Sequence, residues 1–442
     1  MNRTRLWPLW QAVVLSLAVG FTRRGEQRFV QWVTGLALNV EERTITQSAV
    51  ALGRPEDWRK LETFAEYGSW DLPALQAGIA RRIQRLPGRL FHGYSAFAGD
   101  DTKVHRSSPD VWGTCTFHEY AARCPNRAQT VRAHNWVVVG ALLPGGERPA
   151  LFLPVAARLY CRKSQLPGAQ NGPPVVFRTK CELLVEMARE CANCCLGKAL
   201  GVFDGGYALR GVVRPLVKPE APGQRRIDFV TRLRHDAVLH ALPAPRREGQ
   251  RGRAPVWGKR LAPPRQGGRW PSAWREGTAF VYGRPRRVRY KEVVCLWRVL
   301  GHDVPVKAVV AEVEGYKKRF TLVTTALDLT GLQVVEVFCA RFRQEDAFRD
   351  LKQRLGWEEG RAWTRNPIER TTQAVLTTLT ALRLLQLELA ERRGDDWWLH
   401  PPWDRGKSRP SVLDVERLLR THAEELRRGL ADWLDHGGNT GA

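Results

Sequence analysis

The sequence predicts an α/β protein with helical ends, and three observations carry that expectation. From about residue 90, short apolar runs bounded by turn residues replace helical periodicity: LFHGYSAFAGDD, WVVVGALL over 136–143 and PALFLPVAARLY over 149–160. A helical pattern at 179–195 (TKCELLVEMARECANCC) then separates these runs from a further one, ALGVFDGGY. On either side, before about 85 and after about 331, apolar residues recur at three- and four-residue steps.

Taken in order, residues 1–85 form a helical N-terminal region built from RFVQWVTGLAL, RTITQSAVALG and WRKLETFAEYGSW. Thr44 or Thr46 is placed to cap a short helix ending at Gly53, so 43–53 fits a helix-turn-helix unit or a plain helical hairpin. Residues 86–210 hold three strands, a helix and a fourth strand, the order of a ribonuclease-H-type sheet. Residues 211–330 form a β-rich segment with strands at 287–300, 304–313 and 319–327. Within it, 243–285 is crowded with Pro, Gly and Arg and is expected to be an extended basic loop. Helices return at 331–395, and 396–442 form a helical tail.

With 442 residues, 43% hydrophobic residues and 17 tryptophans, the chain has ample means to build cores. Its 70 Lys and Arg against 45 Asp and Glu leave a net charge of +25, which calls for a polyanionic partner, nucleic acid first among them. Nine cysteines in so long a chain point to reduced thiols rather than a disulfide scaffold. The cluster Cys191, Cys194 and Cys195, with Cys161 and Cys181 as recruits, lacks the two close pairs of a structural zinc site, and buried helix cysteines fit better. The apolar stretch 6–21 has the outline of a signal peptide, but Pro8, Gln11 and Ser16 interrupt it, and a first core helix is the better reading. It is too short to span a bilayer comfortably.

The chemistry lies in carboxylates at the ends of apolar runs. GDDTKVH (99–105) sets Asp100 and Asp101 side by side, an expensive arrangement unless they face water or hold a positive charge. In an alternating strand only one of them faces a given side. GVFDGGY places Asp204 at the C-terminal end of a strand, where α/β sheets bind ligands, although a lone strand-end Asp is as often a turn former. Further on, FCARFRQEDAFRDLK puts Phe338, Arg341, Glu345 and Lys352 within about 60° of one another on a helix at about 100° per residue. A carboxylate between two cations is either a structural ion-pair ladder or an acid offered to a metal, with its neighbours gripping phosphates.

These residues resemble a family. The pattern Phe338-(2)-Arg341-(3)-Glu345-(6)-Lys352 is similar to the Y-(2)-R-(3)-E-(6)-K signature of one large group of bacterial insertion-sequence transposases in the DDE superfamily, with Phe for Tyr. Asp100-Asp101-Thr102 resembles the D-x-T setting of that group's first acid, and Asp204-Gly205-Gly206-Tyr207 the setting of its second. The likeness covers roughly residues 30–395. It implies a ribonuclease-H-like, retroviral-integrase-like catalytic core with a mostly β insertion, and it implies that Asp100, Asp204 and Glu345 hold two Mg²⁺ ions, with Mn²⁺ as a substitute. Counting back from Thr102 selects Asp100 as the first acid, with Asp101 as its neighbour. Arg341, Lys352 and Phe338 become DNA-contacting residues, and Asp101, Thr102 and Tyr207 supporting ones. The implied partner is double-stranded DNA, both element ends and target, cut by a homodimer in the cytoplasm, on the nucleoid, with no membrane role. The implied reaction is cleavage followed by 3′-hydroxyl strand transfer. The rivals are an endonuclease without transfer and a decayed copy that only binds DNA. His105, His118 and His134 receive no role.

Overall fold

In the computed structural model, residues 5–119, 129–146, 148–168, 173–219, 221–246, 252–394, 396–400, 402–403, 407 and 409–436 are described. Five helices come first: α1 (Leu6–Leu17), α2 (Arg23–Leu38), α3 (Ile45–Ala51), α4 (Trp58–Tyr67) and α5 (Leu72–Gln84). Then come β1 (Tyr94–His105), β2 (Cys115–His118), β3 (Thr130–Leu143), β4 (Leu151–Tyr160), α6 (Lys180–Asn193), β5 (Lys198–Phe203), α7 (Arg210–Val217) and β6 (Ile227–Arg232). A second strand-rich stretch holds β7 (Leu239–His240), β8 (Arg275–Val281), β9 (Arg284–Trp297), β10 (Pro305–Val313) and β11 (Phe320–Thr324). The chain closes on α8 (Gly331–Ala340), α9 (Arg343–Gln353), α10 (Arg365–Arg393), α11 (Val412–Thr421) and α12 (Ala423–Asp435).

All eleven strands among the described residues belong to one mixed sheet, in which β3 pairs with β4 and β1, β1 with β5, β5 with β6, and β6 with β11, followed by β10 and β9. Strands β1, β5 and β6 run parallel, whereas β3 and β4 meander antiparallel beside them. That five-strand order is consistent with a ribonuclease-H-like core. Strand β6 lies within the stretch expected to be an insertion, yet it pairs in parallel with β5. From there β11, β10 and β9 extend the same sheet antiparallel.

The stretch 243–285 corrects one expectation. Among its described residues is strand β8, paired with β9 over Arg275–Val281, and Trp270 is almost wholly buried with its indole donating to the Ala262 carbonyl at 2.9 Å. Pro and Gly break helices without preventing a strand or an anchoring aromatic from joining a neighbour's core. Residues 247–251 of this stretch lie outside the described residues.

Helix α1 is a core helix, burying Leu6, Trp7, Trp10, Val13, Val14 and Leu17 against α5, α10 and α12. No helix among the described residues is long and apolar enough to cross a membrane. Thr44 caps α3 by accepting from the Gln47 amide, and Gly53 beyond its end takes a left-handed φ of 69°, which glycine adopts without a Cβ clash. The 29 residues of α10 are buried along most of their length and tie both ends of the chain to the sheet. Gln373 accepts from Gln76 at 2.8 Å and donates to the Val155 carbonyl of β4 at 3.2 Å.

One charged network locks the N-terminal helices. Asp57, fully buried, accepts from Gln31 at 2.8 Å, Arg54 at 2.8 Å and Lys60 at 2.5 Å. Burial pushes its carboxyl up, but the three donors outweigh burial and hold it well below the ordinary range. A depressed folded value contributes stability above about pH 4, lost as the pH falls through the folded value. Asp57→Asn should therefore cost about 2 kcal/mol at pH 7, and the deficit should begin to shrink below about pH 4, with most of it still present at about pH 3. Urea denaturation across these pH values measures it.

Candidate active site

Strand register puts the first two acids together. In the parallel pair β1/β5, Gly99 stands opposite Phe203, so Asp100 and Asp204 follow side by side where that pairing stops; β5 ends there, whereas β1, expected to end on the acid doublet, runs on to His105 because β3 continues to pair with it. The chain leaves Asp204 through a short 3₁₀ turn, Gly205–Tyr207, whose Tyr207 amide bonds the Asp204 carbonyl at 3.0 Å. Gly99 is required by close packing: a Cβ there would lie 2.2 Å from Leu184 Cδ1. Leu184 of α6 is fully buried and cannot withdraw.

The third acid arrives on a broken helix. The continuous helix expected through Phe338–Lys352 is instead α8 and α9, joined at Arg341 and Phe342 by a tight turn. Gln344 and Glu345 donate their amides to the carbonyls three residues back, Arg341 and Phe342, at 2.9 and 3.0 Å. The i to i+3 geometry shifts the stripe that ideal helical spacing predicts. Gln344 fixes the second helix by donating from its buried side-chain amide to the Val138 carbonyl at 3.1 Å, and Val138 is the cross-strand partner of Asp100. Glu345, next along, faces the acids.

All three carboxylates converge on one guanidinium. Arg341 reaches Asp100 Oδ2 at 3.1 Å, Glu345 Oε1 at 3.4 Å and Asp204 Oδ1 at 3.6 Å. Its side chain is only 10% exposed, whereas Asp204 and Glu345 are 45% and 49% exposed, so the cation forms the floor and the two acids face solvent. Burial raises the Asp100 carboxyl to about 6; Arg341 opposes this, while Asp101 and Asp204 add to it. Arg341 also lies over the Phe338 ring at 5.7 Å, and Arg232 approaches the same ring at 5.7 Å. Phe338 is buried and presents its ring face to two cations.

The other expected residues occupy different places. Asp101 turns away from Asp100 to the opposite side of the sheet, where Lys180 bonds Oδ2 at 2.5 Å and the Tyr207 hydroxyl donates to Oδ1 at 2.9 Å. Thr102 pairs with Trp136 of β3, half-buried. Lys352 sits two turns beyond Glu345, bonded to the Lys103 carbonyl at 2.5 Å and 3.6 Å from Glu358, away from the three acids. His134 is buried and bonds the Trp112 carbonyl at 2.8 Å, and burial lowers it to about 4. His105 neighbours Glu358 and Glu119. Cys191 and Cys195 are buried in and just after α6, and burial pushes both thiols up, Cys195 to about 11.

Sequence reasoning missed Gln344 and Lys180. The capping box Thr179–Glu182, readable in the sequence, fixes the first turn of α6 and with it the position of Lys180.

The model of the DDE superfamily endonuclease family matches residues 16–292, well over half of the chain. The chain belongs to that family. Membership makes it a nuclease-type enzyme acting on the phosphodiester bonds of DNA, and the matched stretch of this DDE endonuclease contains Asp100 and Asp204. No curated protein matches the chain. Among the described residues, no three His, Cys, Asp or Glu side chains are gathered closely enough to hold a metal ion; the three acids meet around Arg341 instead.

Because the glycine at 99 has no room for a methyl group, Gly99→Ala should cost about 1–3 kcal/mol in chemical denaturation. An unchanged denaturation midpoint would mean that the floor beneath Asp100 is looser than described.

Proposed function

We propose that the chain is a DNA transposase that cuts the ends of a mobile element and joins the freed 3′-hydroxyl to target DNA. The observation that carries this reading is the convergence of Asp100, Asp204 and Glu345, from two adjacent strands and a facing helix, on one cation. Three carboxylates gathered around a positive charge with two of them open to solvent suit a site that exchanges that charge for another.

The donor set fits a hard divalent cation: it is all carboxylate oxygen, and Mg²⁺ prefers such ligands while keeping water. Asp100, Asp204 and Glu345 would hold the metal, with Mn²⁺ able to replace Mg²⁺. When bound, paired divalent ions supply a polarised phosphoryl oxygen and an activated oxygen nucleophile. The chain's own residues do the rest. Arg341 keeps three like charges together until the site is loaded, and once released its fork of donors can grip a phosphate. Gln344 sets the height of Glu345 above β3. Lys180 and Tyr207 hold Asp101 on the far side, which leaves Asp100 as the acid that faces the cut. Phe338 backs Arg341 with its ring face. Lys352 and Thr102, further along α9 and β1, are proposed to support the DNA path. A homodimer follows from the need to cut two element ends together, and 86–210 with β6 and 331–395 form the catalytic core around the rest of the 211–330 stretch.

Plasmid carrying the gene with its native flanks should be nicked by the purified protein in Mg²⁺ and not in EDTA. Asp100→Asn, Asp204→Asn and Glu345→Gln should each lower nicking by more than about 100-fold, whereas Asp101→Asn should fall within about 10–100-fold, as expected for an outer-shell partner. DNA joined to a supplied 3′-hydroxyl end identifies a transposase; nicking without joining identifies an endonuclease, and binding without nicking a decayed copy. A larger loss from Asp101→Asn than from Asp100→Asn would reverse the assignment of the first acid.

Arg341→Gln removes the cation that competes for the three acids. Isothermal titration should then show Mg²⁺ binding at least about tenfold tighter than in the wild type, a gain of about 1.4 kcal/mol. The metal-free melting temperature should fall at the same time. Weaker Mg²⁺ binding would mean that Arg341 organises the acids more than it competes for them.

A further inference from the structure

On the flank of α9 beyond the three acids lies a cleft of about 540 Å³, walled by α9, the start of β4, α10 and the stretch leading into α11. Its charge is unbalanced. Asp346 is shared between Arg343 at 2.7 Å and Arg349 at 2.9 Å. Asp350 is shared between Arg354 and Arg383, each at 3.2 Å. Asp414, buried behind the wall, is shared between Lys407 at 2.6 Å and Arg417 at 4.0 Å. Arg409 donates to the carbonyls of Pro149 and Ala150, and among the described residues no carboxylate stands within 4 Å of it.

Among the described residues every carboxylate here thus serves two cations, and one arginine bonds only backbone oxygens. A purely structural ladder on a protein surface pairs its charges nearly one for one, because unpaired like charges repel. Gathering cations in a concave wall concentrates their field and raises the local density of anions. Burial and the neighbouring Arg383, Arg148 and Arg343 lower Arg409 to about 9, the electrostatic sign of that crowding. The complement is an anion with several charges spaced along a line.

Helix α9 connects this cleft to the acids. Arg349 lies four residues from Glu345, about 6 Å along the axis, on a side 61% exposed to solvent. Phosphates near a cut made at Glu345 therefore come within reach of the cleft.

We propose that this cleft is a docking groove for the phosphate backbone of duplex DNA beside the cut site. The groove grips by charge, without reading bases. It rests on the reading of the three acids as a DNA-cutting centre.

The test is equilibrium binding of the full chain to a fluorescent duplex of arbitrary sequence, measured across a series of KCl concentrations. Each phosphate that the protein no longer neutralises reduces the slope of log K against log [salt] by about 0.9. The double variant Arg349→Gln/Arg417→Gln replaces side chains 61% and 54% exposed, so its fold should hold; a melting curve checks this. A charge-matched comparator, Lys198→Gln/Arg226→Gln, alters the starts of β5 and β6, at the end of the sheet opposite Asp204. The expected result is a slope reduced by about 1.8 in the cleft variant and little changed in the comparator. A cleft variant with the wild-type slope, or a comparator whose slope falls as far, overturns the groove and leaves the DNA-cutting reading standing. A wild-type chain that binds no duplex at any salt overturns that reading, and the groove with it.

Discussion

The arrangement turns on a single guanidinium. Three carboxylates drawn from β1, the end of β5 and the first turn of α9 would repel one another if left alone, and no strand pairing or helix packing by itself favours their meeting. Arg341 makes the meeting favourable because its planar fork can address three acids at once, which the compact ammonium of a lysine does less well. Its position follows from the break between α8 and α9. A regular helix would carry Glu345 around with Arg341 as a ladder rung, but the tight turn lets one reach back to the strands while the other stands over them. Phe338 and Gln344 pin the two sides of that break, one by a buried ring and the other by a bond to β3.

Beneath this lies the parallel register of β1 and β5. One residue of slip would turn Asp100 away and bring Asp101 to the acids, since alternate residues face opposite sides. The protein fixes the choice from both faces: Lys180 and Tyr207 hold Asp101 on one side, and Arg341 holds Asp100 on the other. The adjacent carboxylates that look wasteful in the sequence are two separate ion-pair sites, back to back across one strand.

Much of this was legible in the chain itself. The strand end at Asp204, the helices after 331 and the buried first helix follow from periodicity and turn residues, whereas β1 runs through Asp100 to His105 on the strength of its pairing with β3. What escaped were features set by tertiary geometry. The helix break at Arg341 has no proline or glycine to announce it and arises from what its two halves pack against. Lys352 shares an ideal helical stripe with Glu345 but meets the Lys103 carbonyl, because two turns of α9 carry it about 10 Å along the axis from the acids, a distance a helical projection does not show. Strand β8 and buried Trp270 were hidden by the composition around them, since Pro, Gly and Arg describe a segment's average and not the few residues that find a neighbour. Strand β6 was missed as a core strand because its parallel pairing with β5, across α7, is not written in its own short apolar run.

The clasp between the two ends of the chain has a consequence for synthesis. Helix α1 packs part of its apolar face, Trp7 included, against α10 and α12, which leave the ribosome roughly 400 residues later. At about 5–20 residues per second that interval is roughly 20–80 s. Throughout it that part of α1 stays uncovered on the nascent polypeptide, a natural landing place for a chaperone and a point of aggregation where none is at hand.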